Sequence, residues 1–512
     1  MCAERLLRSA FVKGWLMDSL QSWGASRGDA GSNATRFDFP AYGLHIFLIS
    51  FACLYYVANA QLLFFHFDLG WHLAAGDLIR ERTSVPFQDP WSFTLGDRQW
   101  YNLSWLWDVL ASIVFQHASF GGLLVFVVAC GAVIVGYLTS LCLRCGASTV
   151  AVGIAVLSAC LLYPAFATPP NIYLAVSPNT ATMLFSVIFY AECLKRTRLY
   201  LLPLIMVLWV NLHGGFLLGF LILGIFGAVV LLKRDWAGFR SYFVAGAACL
   251  AAVLINPYGW HIYDGLTATV GHFVQANITE WWPYYLNMTM PGSIPGMVYM
   301  LIFVSLELRH RTSCRMPVEA RLLSWLFLLL GFYQYRYMSF FFIFSTVPMA
   351  LHIDRLMPGL SSDLRAGRSF LAAGIVAACV LPLSFVHALP TLEPAQMLTK
   401  EDARYLETHL AHARVLNNWN AGGLLIFYTR GRVPVFVDGR AATAYPDDLL
   451  RDYFRLVAVE INEAAWDQVL DKYKIDAVLW VRAHKELRQF LVEKRGWKEQ
   501  YVGLYETVYV KP

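Results

Sequence analysis

Asp68 and His72 are four residues apart, so a helix begun at Asp68 carries both on one face. A carboxylate and an imidazole so placed can take up, hold and return a proton. They open a stretch that reads Phe67-Asp68-Leu69-Gly70-Trp71-His72, then Gly76-Asp77, Pro86, Asp89-Pro90-Trp91-Ser92-Phe93-Thr94 and Gln99-Trp100-Tyr101-Asn102. Trp71, Trp91, Trp100, Trp105 and Trp107 crowd the same region. Tryptophan favours a membrane–water interface, which accounts for the rings by itself; it also stacks on sugar rings. Elsewhere stand Asn211 and His213, then Asn256-Pro257-Tyr258-Gly259-Trp260-His261, Glu280-Trp281-Trp282 and Arg336. A lone arginine at the start of an apolar segment either snorkels to the surface or grips an anion with its planar fork.

The elements that must position these residues are set by composition. The chain of 512 residues is 58% hydrophobic and 15% charged, against roughly 25% charged in an ordinary soluble protein. Apolar surface on this scale faces lipid. Apolar spans read at 42–65, 121–143, 148–165, 179–194, 199–232, 241–256, 294–308, 320–333, 337–353 and 369–388. The 199–232 stretch is too long for one pass and breaks at Asn211–Gly215. Residues 101–118 are apolar too, but a crossing there inverts every later loop, so they read as a short, tilted or re-entrant helix. The expected fold class is an α-helical polytopic membrane protein of 11–13 spans with a C-terminal α/β domain outside the cytoplasm.

Positive charge orients the spans. Arg144, Lys195-Arg196 with Arg198, Lys233-Arg234, Arg309 with Arg311 and Arg315, and Arg355 with Arg365 and Arg368 mark inner loops. One threading satisfies them all. It divides the chain into a cytoplasmic segment 1–41, a transmembrane domain 42–389 with a large first outer loop at 66–100, and a soluble outer domain 390–512. The turn at 211–215, the loop at 257–292 and Gln334-Tyr335-Arg336 then also lie outside. Asp68, His72, Asp89, His213, Glu280 and Arg336 therefore all fall on one membrane face, under an orientation chosen from other residues. No cleavable signal peptide is read at the N-terminus; Leu6, Leu7, Ala10, Phe11 and Trp15 suit either an amphipathic surface helix or a plain tail. No cysteine falls in 66–100, 257–292 or 389–512, which leaves no disulfide framework outside. Cys142 and Cys145 form a CxxC without a second pair, too little for a metal site.

Nearly half of the charged residues fall in the last quarter of the chain, which places the main domain boundary at about 390–400. Strands are expected at Ala413–Leu416, Arg432–Val437, Ile475–Val481 and Val502–Val510. Helices are expected at Asp447–Val459, Glu463–Tyr473 and Ala483–Lys494. Val437-Asp438-Gly439-Arg440 ends a strand, where α/β sheets place ligands, or is a tight turn with a surface ion pair. Asn417-Asn418-Trp419-Asn420 precedes a short apolar helix and suits a glycan. No GxGxxG, phosphate loop, zinc spacing or GxSxG is present, so nucleotide binding has no support, and the net charge of +5 calls for no nucleic acid.

The loop Asp68…Trp71-His72…Gly76…Pro86…Asp89-Pro90…Ser92-Phe93-Thr94, with Asn211-Leu212-His213-Gly214-Gly215 and Asn256-Pro257-Tyr258-Gly259, resembles bacterial polytopic proteins of the GT-C glycosyltransferase superfamily, over most of the chain. The resemblance implies a polyprenyl-phosphate sugar as donor, a glycan, lipid or protein as acceptor, and residence in the inner membrane with the C-terminal domain in the periplasm. It implies a catalytic carboxylate just outside the first span, for which Asp68 is the matching residue, and inversion at the anomeric carbon. Trp71, His72, Asp89, His213, Glu280 and Arg336 are the candidate substrate-binding residues. There is no DxD and no Asp-Glu pair at Asp68, so no cofactor is required by the pattern and a divalent metal is left open. Two rivals stand beside a transferase. A transporter or flippase calls for repeats or charge at mid-span, of which there is little sign. A non-catalytic scaffold whose tail binds a partner predicts that Asp68 and Arg336 are dispensable.

Overall fold

The structure, a computed structural model, describes residues 39–64, 67–166, 174–287, 293–310, 316–358, 364–388, 397–457 and 461–512. The N-terminal segment read as a surface helix or tail lies outside these. The chain is a helical bundle followed by a small mixed sheet. The bundle begins with α1 (Phe39–Ala58), the short α2 (Ala60–Phe64) and α3 (Leu69–Arg82). The long α4 (Trp105–Arg144) is broken at Ser119, whose φ of 50° and ψ of −152° lie outside the helical region. The arm before Ser119 covers most of the segment read as a short, tilted or re-entrant helix, and the arm after it covers the following span. Then come α5 (Thr149–Phe166), α6 (Asn179–Lys195), α7 (Leu202–Leu212), α8 (Leu217–Leu232) and α9 (Trp236–Val253). After a loop carrying the single-turn α10 (Ile262–Thr267) follow α11 (Ser293–Arg309), α12 (Val318–Tyr333), α13 (Met338–Leu356) and α14 (Leu364–Ala388).

Among the described residues, six helices are long and apolar enough to cross a membrane: Pro40–Ala58, Trp105–Arg144, Gly214–Leu232, Trp236–Val253, Tyr335–Leu356 and Gly367–Ala388. This is a membrane-embedded protein of several spans. Close helix contact in such a bundle needs small residues, because lipid supplies no hydrophobic drive between helices. A Cβ at Gly43 of α1 would strike the Gly367 carbonyl of α14, and one at Gly374 would strike the α1 backbone at Phe47. A buried polar knot ties α11, α12 and α13. Glu307 accepts from Arg321 Nε at 2.9 Å and Trp325 Nε1 at 3.2 Å, and pairs with His352 Nε2 at 2.8 Å.

The C-terminal part comprises α15 (Lys400–Leu410), β1 (Val415–Asn417), α16 (Trp419–Thr429), α17 (Asp447–Phe454), α18 (Glu463–Lys472), β2 (Ala477–Val481), α19 (Lys485–Arg488), β3 (Lys498–Val502) and β4 (Glu506–Val510). The sheet order is β1-β2-β4-β3, with β1 parallel to β2 and the other pairs antiparallel. Two expected strands take other forms. The single strand expected at Val502–Val510 is the end of a hairpin that turns through Gly503, whose N–H donates to the Glu506 carbonyl at 2.9 Å. The Arg432–Val437 segment does not join the sheet. It pairs instead with the loop after α3, through a bridge between Ser92 and Val435 and bonds from Val435 N to Trp91 O (3.0 Å) and Thr94 Oγ1 to Phe436 O (3.0 Å). The same loop enters the apolar core of the sheet, where Trp71, Ala75, Trp91 and Trp100 pack with Leu416, Leu425, Val435 and Trp480.

Candidate functional site

Asp68 occupies the N-cap position of α3, and its backbone carbonyl accepts from His72 N at 3.1 Å, so the helix expected to start at Asp68 does start there. The Asp68 side chain is partly exposed. His72, one turn on, is buried, and its ring stacks on that of Trp71 with centroids 3.6 Å apart. Its Nδ1 meets Asp108 Oδ1 at 2.6 Å. Asp108 is fully buried in the first turn of α4, and its other oxygen accepts from Asn102 Nδ2 at 2.8 Å. The approach of α3 to α4 depends on Gly76: a Cβ there would overlap the Asp108 carbonyl and the Ser112 side chain. An ionised Asp108 draws the His72 proton to Nδ1 and leaves Nε2 as the acceptor. Asp108 escaped the sequence reading because it sits in an apolar helical arm, Trp105 to Ala118, about 21 Å long at ~1.5 Å per residue, with nothing local to say which group it faces.

His213 stands between α7 and α8 in extended backbone, at the break expected there. Its Nδ1 receives two donors, Thr182 Oγ1 at 2.7 Å and Gly215 N at 3.3 Å. Thr182 Oγ1 in turn accepts from Trp209 Nε1 at 2.9 Å, which leaves its own hydrogen for the imidazole. The ring proton of His213 is thereby placed on Nε2. Burial first, then the charges of Arg336 and His72, lower its pKa from 6.5 to about 3, so it is neutral at ordinary pH.

Arg336 lies in the single turn Tyr335–Tyr337 before α13. That turn is fixed by Tyr335 N donating to Trp282 O at 2.9 Å. The guanidinium lies 4.1 Å from the centroid of Trp281, with Nη1 3.6 Å from Glu280 Oε1. Its side chain keeps 26% of its surface exposed, so an anion can reach it without a rearrangement of the fold.

Of the residues singled out from sequence, Asp68, Trp71 and His72 share the start of α3, Glu280 and Arg336 meet before α13, and His213 feels the charge of Arg336. Asp89 is placed elsewhere. Its carboxylate meets Arg440 Nη1 and accepts from Ser92 N at 2.7 Å. Arg440 also reaches Asp438 through Nε at 2.8 Å and Nη2 at 2.6 Å, and Ser92 Oγ at 2.8 Å. Tyr445 OH closes the group at 2.7 Å from Asp438 Oδ2. Trp91 and Trp100 flank the guanidinium, each centroid 5.0 Å away. Arg440 and Asp438 are buried, not the surface pair that a tight turn suggests, because the loop after α3 covers them. Among the described residues, no group of three or more His, Cys, Asp or Glu side chains is arranged to hold a metal ion.

No family model and no curated protein matches the sequence. Solved structures do. The oligosaccharyltransferase of Archaeoglobus fulgidus, tethered to an acceptor peptide containing the NVT sequon, aligns with a TM-score of 0.53 at 12% identity, over 91% of this chain and 74% of that one. Its apo form gives 0.52 at 11% identity, over 88% and 71%. The same archaeal enzyme, AglB, in complex with an inhibitory peptide and a dolichol-phosphate gives 0.53 at 11%, over 88% and 71%. At such identity the likeness is one of fold, and in fold this chain is similar to an archaeal oligosaccharyltransferase.

Proposed function

We propose that the protein is a membrane glycosyltransferase that moves a sugar from a polyprenyl-phosphate donor to an acceptor outside the cytoplasm, in a bacterial inner membrane with the C-terminal domain in the periplasm. The observation that carries this reading is a fold similar to that of an enzyme solved with dolichol-phosphate and with peptides, in which Asp68 caps α3 one turn before His72 and Arg336 stays partly exposed beside Trp281. A lipid-linked donor keeps its tail in the bilayer and presents its phosphate at the surface. Arg336, beside Trp281 and still partly exposed, is the group to receive that phosphate. Asp68 takes the proton of the acceptor hydroxyl as its oxygen attacks the anomeric carbon. The carbon–oxygen bond to phosphate breaks, and the phosphate leaves with its electron pair toward Arg336. A single attack of this kind inverts the anomeric centre. His72, fixed by Asp108, and His213, with its proton on Nε2, offer one acceptor and one donor to sugar hydroxyls.

The test uses full-length protein in lipid nanodiscs and a panel of polyprenyl-phosphate sugars, with donor loss followed by mass spectrometry. Wild type consumes one donor, and Asp68→Asn slows consumption by roughly 10²–10⁴-fold, the range for loss of a general base. Consumption untouched by Asp68→Asn removes Asp68 as the base. Folded wild-type protein that consumes no donor turns the reading toward a transporter or a scaffold.

A further inference from the structure

Two glycines of the C-terminal part press on the start of α3. A Cβ at Gly439 would overlap the Asp68 carboxylate. A Cβ at Gly423 of α16 would fall 2.8 Å from the Phe67 carbonyl and 3.3 Å from Trp71 Cδ1. Gly70, two residues beyond Asp68, lies so close to α16 that its own Cβ would strike the Gly423 carbonyl. Gly422 lets α16 reach the next loop, because a Cβ there would meet the Val437 carbonyl and the Asp438 side chain. Backbone therefore approaches Asp68 where side chains would otherwise keep it away. The approaching loop does not float. Asn417 holds its start, with Oδ1 accepting from Phe436 N at 2.7 Å and Nδ2 donating to Val437 O at 2.8 Å. Arg440 holds its end through Asp89 and Ser92.

We infer that the Asp438-Gly439-Arg440 loop is a working part of the Asp68 site: Gly439 seats the Asp68 carboxylate, and Arg440 fixes the seat by clamping the loop to the segment after α3. Gly439 and Arg440 are positioning residues, and the C-terminal domain supplies one wall of the site at Asp68. This rests on the reading of Asp68 as the base. It assigns the C-terminal domain a role that a detachable partner-binding module would not have. A carboxylate displaced by about an ångström can cost roughly 10²-fold in rate, since transfer depends on aligned reacting atoms.

A double-mutant cycle tests it on full-length protein in nanodiscs, with Gly439→Ala, Asp68→Ala and the pair. Two readouts are taken, the thermal unfolding midpoint and the kinetics of donor consumption. Gly439→Ala is expected to lower the midpoint, and the loss is expected to vanish in the Asp68→Ala background, where the added methyl occupies the space of the missing carboxylate. Its kcat falls by roughly a hundred-fold at unchanged donor KM, because Arg336 is untouched. Equal loss of midpoint in both backgrounds, or failure of both Gly439→Ala chains to fold, shows that the methyl collides with something other than Asp68 and overturns the inference. Folding of the pair when Gly439→Ala alone does not fold supports it. The midpoint cycle decides the seat even if wild type consumes no donor, a result that would overturn the transferase reading and leave the seat standing on its own.

Discussion

Arg336 carries the donor side of the proposed chemistry, and its surroundings say what a substitution will do. The guanidinium carbon lies 4.1 Å from the Trp281 ring centroid, a contact that an ammonium on a flexible stem does not reproduce. Arg336→Gln removes a permanent cation and is expected to lower kcat by roughly 10²–10³-fold, as loss of one transition-state donor does; Arg336→Lys falls between. Single-turnover donor consumption measures both. A rate unchanged in Arg336→Gln places the phosphate elsewhere. The types of these residues were legible in the sequence: Asp68 by its place after the first span, His213 by the turn that splits 199–232, Arg336 by its isolation before an apolar run. Their partners were not. Asp108 reaches His72 only because Gly76 lets two helices touch, and Thr182 sets the His213 tautomer across a different helix pair. Neither contact leaves a local mark in the chain.

At the scale of elements, the Asp89–Arg440–Asp438 clamp joins the loop after α3 to the loop after α16. Removing the arginine strands two buried carboxylates, so Arg440→Met is expected to destabilise the fold by about 3–5 kcal/mol. Replacing the whole set with apolar residues of similar volume costs much less, because a buried ion pair barely exceeds its own desolvation penalty. Chemical unfolding of the two variants separates these outcomes; equal stability of Arg440→Met and wild type would show that the clamp bears no load. The helices were readable from apolar runs and turn residues, including the break at 211–215 and the separate arm at 101–118. The Arg432–Val437 segment was readable as extended but not in its pairing. Period-two patterning says that a strand wants a neighbour, and here the neighbour, Trp91–Thr94, is more than three hundred residues away.

The molecule as a whole carries a built-in response to alkali. Glu506 on β4 is buried, and neither of its carboxylate oxygens has a partner among the described residues. Burial, with a smaller contribution from Asp402, raises its pKa from 4.5 to about 9. The folded state therefore binds a proton that the unfolded state has already released. Its contribution to stability is complete below pH 4.5 and is lost as pH rises toward about 9, at up to about 1.4 kcal/mol per pH unit. Glu506→Gln is expected to flatten this decline, as unfolding midpoints between pH 6 and 9 will show; an equal decline in both proteins assigns the effect to another group. Charge density along the chain marked a change of character near 390–400, and the small C-terminal sheet follows it. Composition could not reveal that the core of that sheet is completed by Trp71, Trp91 and Trp100 from the other end of the chain.

That shared core has a consequence for how the protein is made. Asp89 and Arg440 are 351 residues apart. At ~5–20 residues per second, a ribosome needs roughly 20–70 s to pass from one to the other. Throughout that interval Trp71, Trp91 and Trp100 lack their partners in the sheet core and the Trp91–Thr94 edge lacks Val435, while α4 to α14 are synthesised. The assembly of the Asp68 site therefore waits until Gly439 and Arg440 have been made, long after Asp68 itself.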